Sequence, residues 1–125
     1  MAAGELRFTK THEWLLVQGG SVTLGLTDYA QHELGDIVFV ELPAVGKAVQ
    51  AGDVVATVES VKSVSEIYAP VSGSIAEVNG ALDGSPGLIN SDPMGEGWIL
   101  RIALSDAGQT AGLLTRDAYD KEIGA

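Results

Sequence analysis

At 125 residues, 46% of them hydrophobic, the chain has room for one domain around a modest core. A formal net charge of -10 argues against nucleic acid, whose readers carry a basic footprint. The absence of cysteine excludes disulfides, thiolate metal sites and any thiol chemistry of the protein's own.

The first predicted element is a hairpin. Trp14-Leu15-Leu16-Val17 runs into Gln18-Gly19-Gly20-Ser21 and returns through Val22-Thr23-Leu24-Gly25-Leu26, with Gly19 and Gly20 expected to supply the positive φ angles of a tight turn. Thr27 caps a helix of about two turns, with Asp28 in its first turn, Ala30, His32 and Leu34 following, and Gly35 at the stop position. His32 is expected on the exposed face. Asp36 to Leu42 is strand-like: alternation puts Val38 and Val40 on one face and Ile37, Phe39 and Glu41 on the other, and Pro43 closes the run.

Gly46 and Gly52 bracket a turn-rich link. Beyond it Asp53-Val54-Val55-Ala56-Thr57-Val58 is rich in β-branched residues, and Val64 to Ala69 alternates apolar and polar before Pro70. Two strands over so short a link form a hairpin with Lys62 at its tip. There the amine stands in solvent on a flexible stem, where a modifying enzyme can enclose it without unfolding anything. A hairpin lysine is also the ordinary solvated charge that keeps a sheet edge from pairing, and the hairpin alone does not separate the two roles.

Ser72-Gly73-Ser74 turns the chain into the strand Ile75 to Val78. Asn79 to Gly97, glycine-rich with Pro86 and Pro93, reads as loop with one helical turn near Ala81 to Gly84, and Gly95-Glu96-Gly97 as a turn into a strand from Trp98 to Leu104. From Thr110 to Ile123, Leu113, Leu114, Ala118 and Tyr119 fall at helical spacing and predict a terminal helix, with Thr115 an alternative cap that splits it. Many short strands between glycine turns predict an all-β sandwich or barrel. No linker, low-complexity tract or repeat interrupts it.

Little here supports an enzyme. His12 and His32 do not make a zinc set without cysteine, no serine sits in a Gly-x-Ser-x-Gly elbow, and Gly95-Glu96-Gly97 lacks the third glycine of a dinucleotide loop. A Schiff-base lysine needs burial or a nearby cation; Lys62 is displayed between Glu59 and Glu66 and reads as an acceptor instead. No apolar run approaches the roughly 20 residues of a membrane helix. The opening Met1-Ala2-Ala3-Gly4-Glu5-Leu6-Arg7 has neither an h-region nor an Arg/Ser-rich leader, so a cytoplasmic protein is expected, with the mature form of a mitochondrial protein reading the same way.

The Glu59-Ser60-Val61-Lys62 core belongs to a longer pattern. From about Phe8 to about Tyr119 the chain resembles the H-protein family of the glycine cleavage system, through Thr9-Lys10-Thr11-His12-Glu13-Trp14, Gly25-Leu26-Thr27-Asp28-Tyr29-Ala30-Gln31, Leu34-Gly35-Asp36-Ile37-Val38-Phe39-Val40-Glu41-Leu42-Pro43, Tyr68-Ala69-Pro70-Val71-Ser72-Gly73 and Asn90-Ser91-Asp92-Pro93-Met94-Gly95-Glu96-Gly97-Trp98. The Asp-Lys-Ala and Met-Lys-Met settings of other lipoyl and biotinyl domains are missing.

That resemblance implies a mainly β, lipoyl/biotinyl-type barrel-sandwich hybrid with short flanking helices, including a C-terminal helix. It implies a single domain over 1–125, with its core at about 8–104 and the helix at about 110–123. It implies lipoic acid held covalently on Lys62, with Glu59, Ser60, Val61 and Glu66 recognised around the hairpin and Glu13, with Glu66 as a second candidate, contacting the amine of the aminomethyl-loaded arm. The implied shuttle is itself non-catalytic. It takes the aminomethyl group of glycine from a PLP-dependent glycine decarboxylase (P protein) to a tetrahydrofolate-dependent aminomethyltransferase (T protein), and is reoxidised by dihydrolipoyl dehydrogenase (L protein).

A lipoate ligase or lipoyl/octanoyl transferase would load it, and a monomer without nucleic-acid or membrane partners is expected. The alternatives are an H-like lipoyl donor or redox-signalling carrier, and an unmodified interaction module. Gly80 and Gly87 stand where the family more often has glutamate, which should loosen the helical turn, and Met94 where it often has tyrosine.

Overall fold

The computed structural model describes residues 5–124; the leader expectation for residues 1–4 lies outside them. Among the described residues nine short strands form two antiparallel sheets. The larger runs in the order β1 (Glu5–Phe8), β2 (Glu13–Gln18), β3 (Ser21–Leu26), β9 (Leu100–Leu104), β8 (Gly73–Val78) and β5 (Ala48–Val49). The smaller is β4 (Ile37–Glu41), β6 (Val54–Ser60) and β7 (Val64–Tyr68). Leu15, Val22 and Leu24 from the first share one buried cluster with Val40, Val58 and Ile67 from the second, as a barrel-sandwich hybrid requires.

The β2–β3 hairpin forms as the glycine turn predicts, with Gln18 opposite Ser21, but only Gly19 of the glycine pair takes positive φ, at 60°. Trp14 lies across from Gly25, where a Cβ would come within 2.7 Å of the indole nitrogen, so the large ring demands the glycine. The indole N–H donates to the Pro93 carbonyl at 2.9 Å.

Helix α1 (Asp28–Leu34) starts where predicted: the Thr27 hydroxyl accepts from the Ala30 N–H, and Gly35 ends it at φ 81°, with His32 exposed. In β4 the predicted alternation fails. A register shift between Ile37 and Phe39 keeps Ile37 and Val40 inside and turns both Val38 and Phe39 to solvent, because the bulge spends two residues against one of its partner.

Two strands escape sequence reading, β1 and the two-residue β5, as does α3 (Leu88–Ser91); α2 (Ala81–Gly84) sits where a helical turn is expected. Gly80 and Gly87 precede α2 and α3 in αR geometry without a side-chain cap. β9 begins at Leu100 rather than Trp98, because the Trp98 N–H folds back on the Gly95 carbonyl. The predicted helix over 110–123 is divided: a 3-10 helix covers Ala107–Gly112, and α4 (Arg116–Glu122) starts afresh from Thr115, whose hydroxyl accepts from the Ala118 N–H.

Helix α4 seats Tyr119 in a second buried cluster with Phe8 and Trp14, against which Met94 packs. An isolated bridge joins Phe8 to Leu114, so the two ends of the described chain meet there.

Candidate functional site

The β6–β7 hairpin turns over three residues, Val61, Lys62 and Ser63. Ser60 builds the turn: its hydroxyl accepts from Ser63 N–H at 3.1 Å and from Lys62 N–H at 3.4 Å and lies 3.2 Å from the Ser63 carbonyl. The Val61 N–H donates to the Asp36 carbonyl at 3.0 Å, tying the tip to the start of β4. Backbone bonds on both sides of Lys62 therefore fix the tip while its side chain remains exposed. Its stem passes over the end of α1, where a Cβ on Gly35 would stand 3.8 Å from Lys62 Cε.

Asn90 supports this corner from α3. Its side chain accepts from Ile37 N–H at 2.8 Å and donates to the Gly35 carbonyl at 2.9 Å and to Gln31 Oε1 at 3.0 Å. One amide thus fixes the end of α1 and the start of β4, which together hold the tip.

Below the lysine, between α1, β7 and the turn before β2, lies a cleft of about 290 Å³. Thr11, His12 and Glu13 form one wall, Tyr29 and Glu33 of α1 another, and Glu66 of β7 a third. Glu66 is exposed and accepts from the Tyr68 hydroxyl at 3.2 Å. Glu59 lies across β6 from both Phe39 and Val64, on the outer face of the small sheet rather than in the cleft.

Glu13 is only 1% exposed. Its Oε1 accepts from the Thr9 and Thr11 hydroxyls, both at 2.6 Å, while its N–H donates to Thr9 Oγ1 at 3.0 Å. Burial pushes its carboxyl above the ordinary value of 4.5, with the Thr11 and Thr9 hydroxyls and the Tyr68 backbone holding it back. Three donors thus offset only part of the desolvation of this buried carboxylate.

The sign of the pH effect follows from that raised value. The folded state binds this proton more tightly than the unfolded chain, so the contribution to stability is full below pH 4.5 and is lost as pH rises through the folded value. Urea titrations should show wild-type stability falling relative to Glu13→Gln from pH 4.5 towards neutrality; a difference independent of pH would contradict the assignment.

The structure brings Lys62, Ser60 and Val61 together at the tip and Glu13 and Glu66 together in the cleft below. Sequence reasoning missed Thr9, Thr11, Tyr29, Glu33 and Asn90. Thr9 and Thr11 carried no periodic signal, because residues 9–12 form a turn rather than a strand.

Residues 6–125 match the profile of the family described as "Glycine cleavage H-protein". The chain is 57% identical to the glycine cleavage system H protein of Rubrobacter xylanophilus, covering 95% of this chain and 92% of that one. To its counterpart from Thermus thermophilus it is 55% identical, covering 93% and 91%. It superposes on the crystal structure of a glycine cleavage system H protein from Mycobacterium marinum with TM-score 0.88 and 39% identity, over 99% of this chain and 100% of that one.

Proposed function

The chain belongs to the glycine cleavage H-protein family, and from that membership we propose that Lys62 is the lipoyl attachment residue and that the cleft against Glu13 shelters the cargo. Members of this family carry covalent lipoic acid, and this protein is a lipoyl-carrying shuttle working with the other components of the glycine cleavage system. The single observation behind the proposal is the hairpin tip: an exposed lysine on a turn fixed by Ser60 and by the Val61–Asp36 bond.

When attached, the lipoyl group supplies a dithiolane that can be reduced, carry a one-carbon amine on sulfur and be reoxidised. Everything else falls to the chain. The tip presents the Lys62 amine to a lipoate ligase or lipoyl/octanoyl transferase, with Glu59, Ser60, Val61 and Glu66 read around it. The cleft below the tip accepts a flexible arm, and the buried Glu13 carboxylate, with Glu66 at the rim, faces an ammonium there. Tethering keeps the arm concentrated at whichever partner has docked. We take the partners to be glycine decarboxylase, aminomethyltransferase and dihydrolipoyl dehydrogenase, and the chain to be a non-catalytic, monomeric, cytoplasmic single-domain carrier. A net charge of -10 discourages self-association and favours brief encounters with basic surfaces.

Intact mass with peptide mapping, on protein from its own host, tests the attachment. One lipoyl increment on Lys62 is expected; an unmodified Lys62 in a host that lipoylates other domains overturns the proposal. For the cleft, Glu13→Ala should shorten the lifetime of the loaded carrier without reducing lipoylation, and an unchanged lifetime removes Glu13 from the role.

A further inference from the structure

The two walls of the cleft are joined by a hydroxyl from the far end of the chain. Tyr119, on α4, is 3% exposed, and its phenol oxygen lies 3.0 Å from His12 Nδ1 and 2.7 Å from Thr27 Oγ1. His12 belongs to the wall that carries Thr11 and Glu13; Thr27 caps the helix that carries Tyr29 and Glu33. We propose that Tyr119 is a positioning residue for the cleft, holding its two walls at the spacing that accepts the loaded arm; this rests on the proposed shelter role of the cleft.

The local geometry needs such a tie. His12 is the only non-glycine residue with positive φ among the described residues, at 71°, a conformation that a histidine side chain adopts at some cost. Its ring is held by the Tyr119 hydroxyl and by Tyr29, 4.7 Å away between centroids. The backbone repeats the link, since the Thr27 N–H donates to the His12 carbonyl at 3.1 Å. With Nδ1 unprotonated, the phenol donates to His12 and the Thr27 hydroxyl donates to the phenol oxygen, while Thr27 Oγ1 still accepts from the Ala30 N–H at 3.2 Å. Every polar atom in the chain of contacts is then satisfied. Removing the hydroxyl leaves His12 and Thr27 without that shared partner and frees the turn next to Glu13, though the ring keeps its stacking on Phe8, 4.8 Å between centroids.

Tyr119→Phe isolates the hydroxyl. In the unlipoylated protein it should speed hydrogen exchange at the Glu13 and Ala30 amides, which are bonded to Thr9 and Thr27. In the lipoylated protein it should shorten the lifetime of the loaded carrier roughly tenfold, the effect of one lost buried hydrogen bond. Ile123→Ala loosens the same aromatic cluster without touching the hydroxyl. It should lower Tm while leaving exchange at both amides and the loaded lifetime unchanged. Lifetimes that follow Tm through both variants would reduce Tyr119 to a packing residue and overturn the inference. A normal lifetime in Tyr119→Phe beside a shortened one in Glu13→Ala overturns it too and leaves the shelter role standing; normal lifetimes in both variants overturn the shelter role itself.

Discussion

Lys62→Arg is expected to abolish lipoylation and with it all turnover through this carrier, while leaving Tm within a degree or two of wild type. The side chain is exposed and the turn is made by Ser60 and backbone groups, so a surface substitution here should move stability by no more than about 0.5 kcal/mol. Arginine keeps the charge and the stem but offers a permanently protonated guanidinium in place of an acylatable amine. Intact mass and a stability scan of the same sample check both halves. Lipoylation persisting on Lys10, Lys47 or Lys121 would sink the assignment. Binding of the glycine cleavage partners that needs neither amine nor arm would favour a plain interaction module.

The largest expected loss of stability lies at Gly73→Ala. Gly73 pairs with Val49 on one side and Leu104 on the other. A Cβ there would drive into the Ala103 carbonyl oxygen and stand 2.9 Å from Ile102 Cγ2. Backbone on a paired strand cannot swing aside as a side-chain tip can, so β5 and β8 must shift together. We expect a loss of about 3 kcal/mol, at the upper end for overpacking, and a fall in Tm on the order of 10 °C. Gly80→Ala is the matched control, since a Cβ there meets nothing within 4 Å; a similar loss in both variants would show that the clash is not the cause.

The β6–β7 hairpin and Lys62 at its tip were legible because their signals are local: β-branched runs, a short link and a proline stop. The same holds for α1, whose cap and stop are contiguous with it. The burial of Glu13 was not legible, because a carboxylate in a polar block gives no hint that Thr9 and Thr11 close over it. The inward turn of Glu13 also depends on His12 adopting positive φ, a backbone choice with no compositional mark.

Strand β5 is only two residues long and exists through its pairing with Gly73 and Ser74, so no periodicity could announce it. The bulge in β4 defeats a period-2 reading by construction and turns Phe39 outward where the alternation alone could not show it. Tyr119 was visible as part of an amphipathic helix, but its bonds to His12 and Thr27 span 107 and 92 residues.

The meeting of Phe8 with Leu114 also sets a timetable. A chain made from its N-terminus exposes β1 and the Thr9 to Glu13 turn long before the residues that brace them leave the ribosome, and contacts of such high sequence separation form late. The β6–β7 hairpin closes over three residues at little entropic expense. During synthesis, then, the Lys62 tip closes while the cleft beneath it still lacks the brace that Tyr119 supplies, and the last helix steadies a compartment whose entrance is already in place.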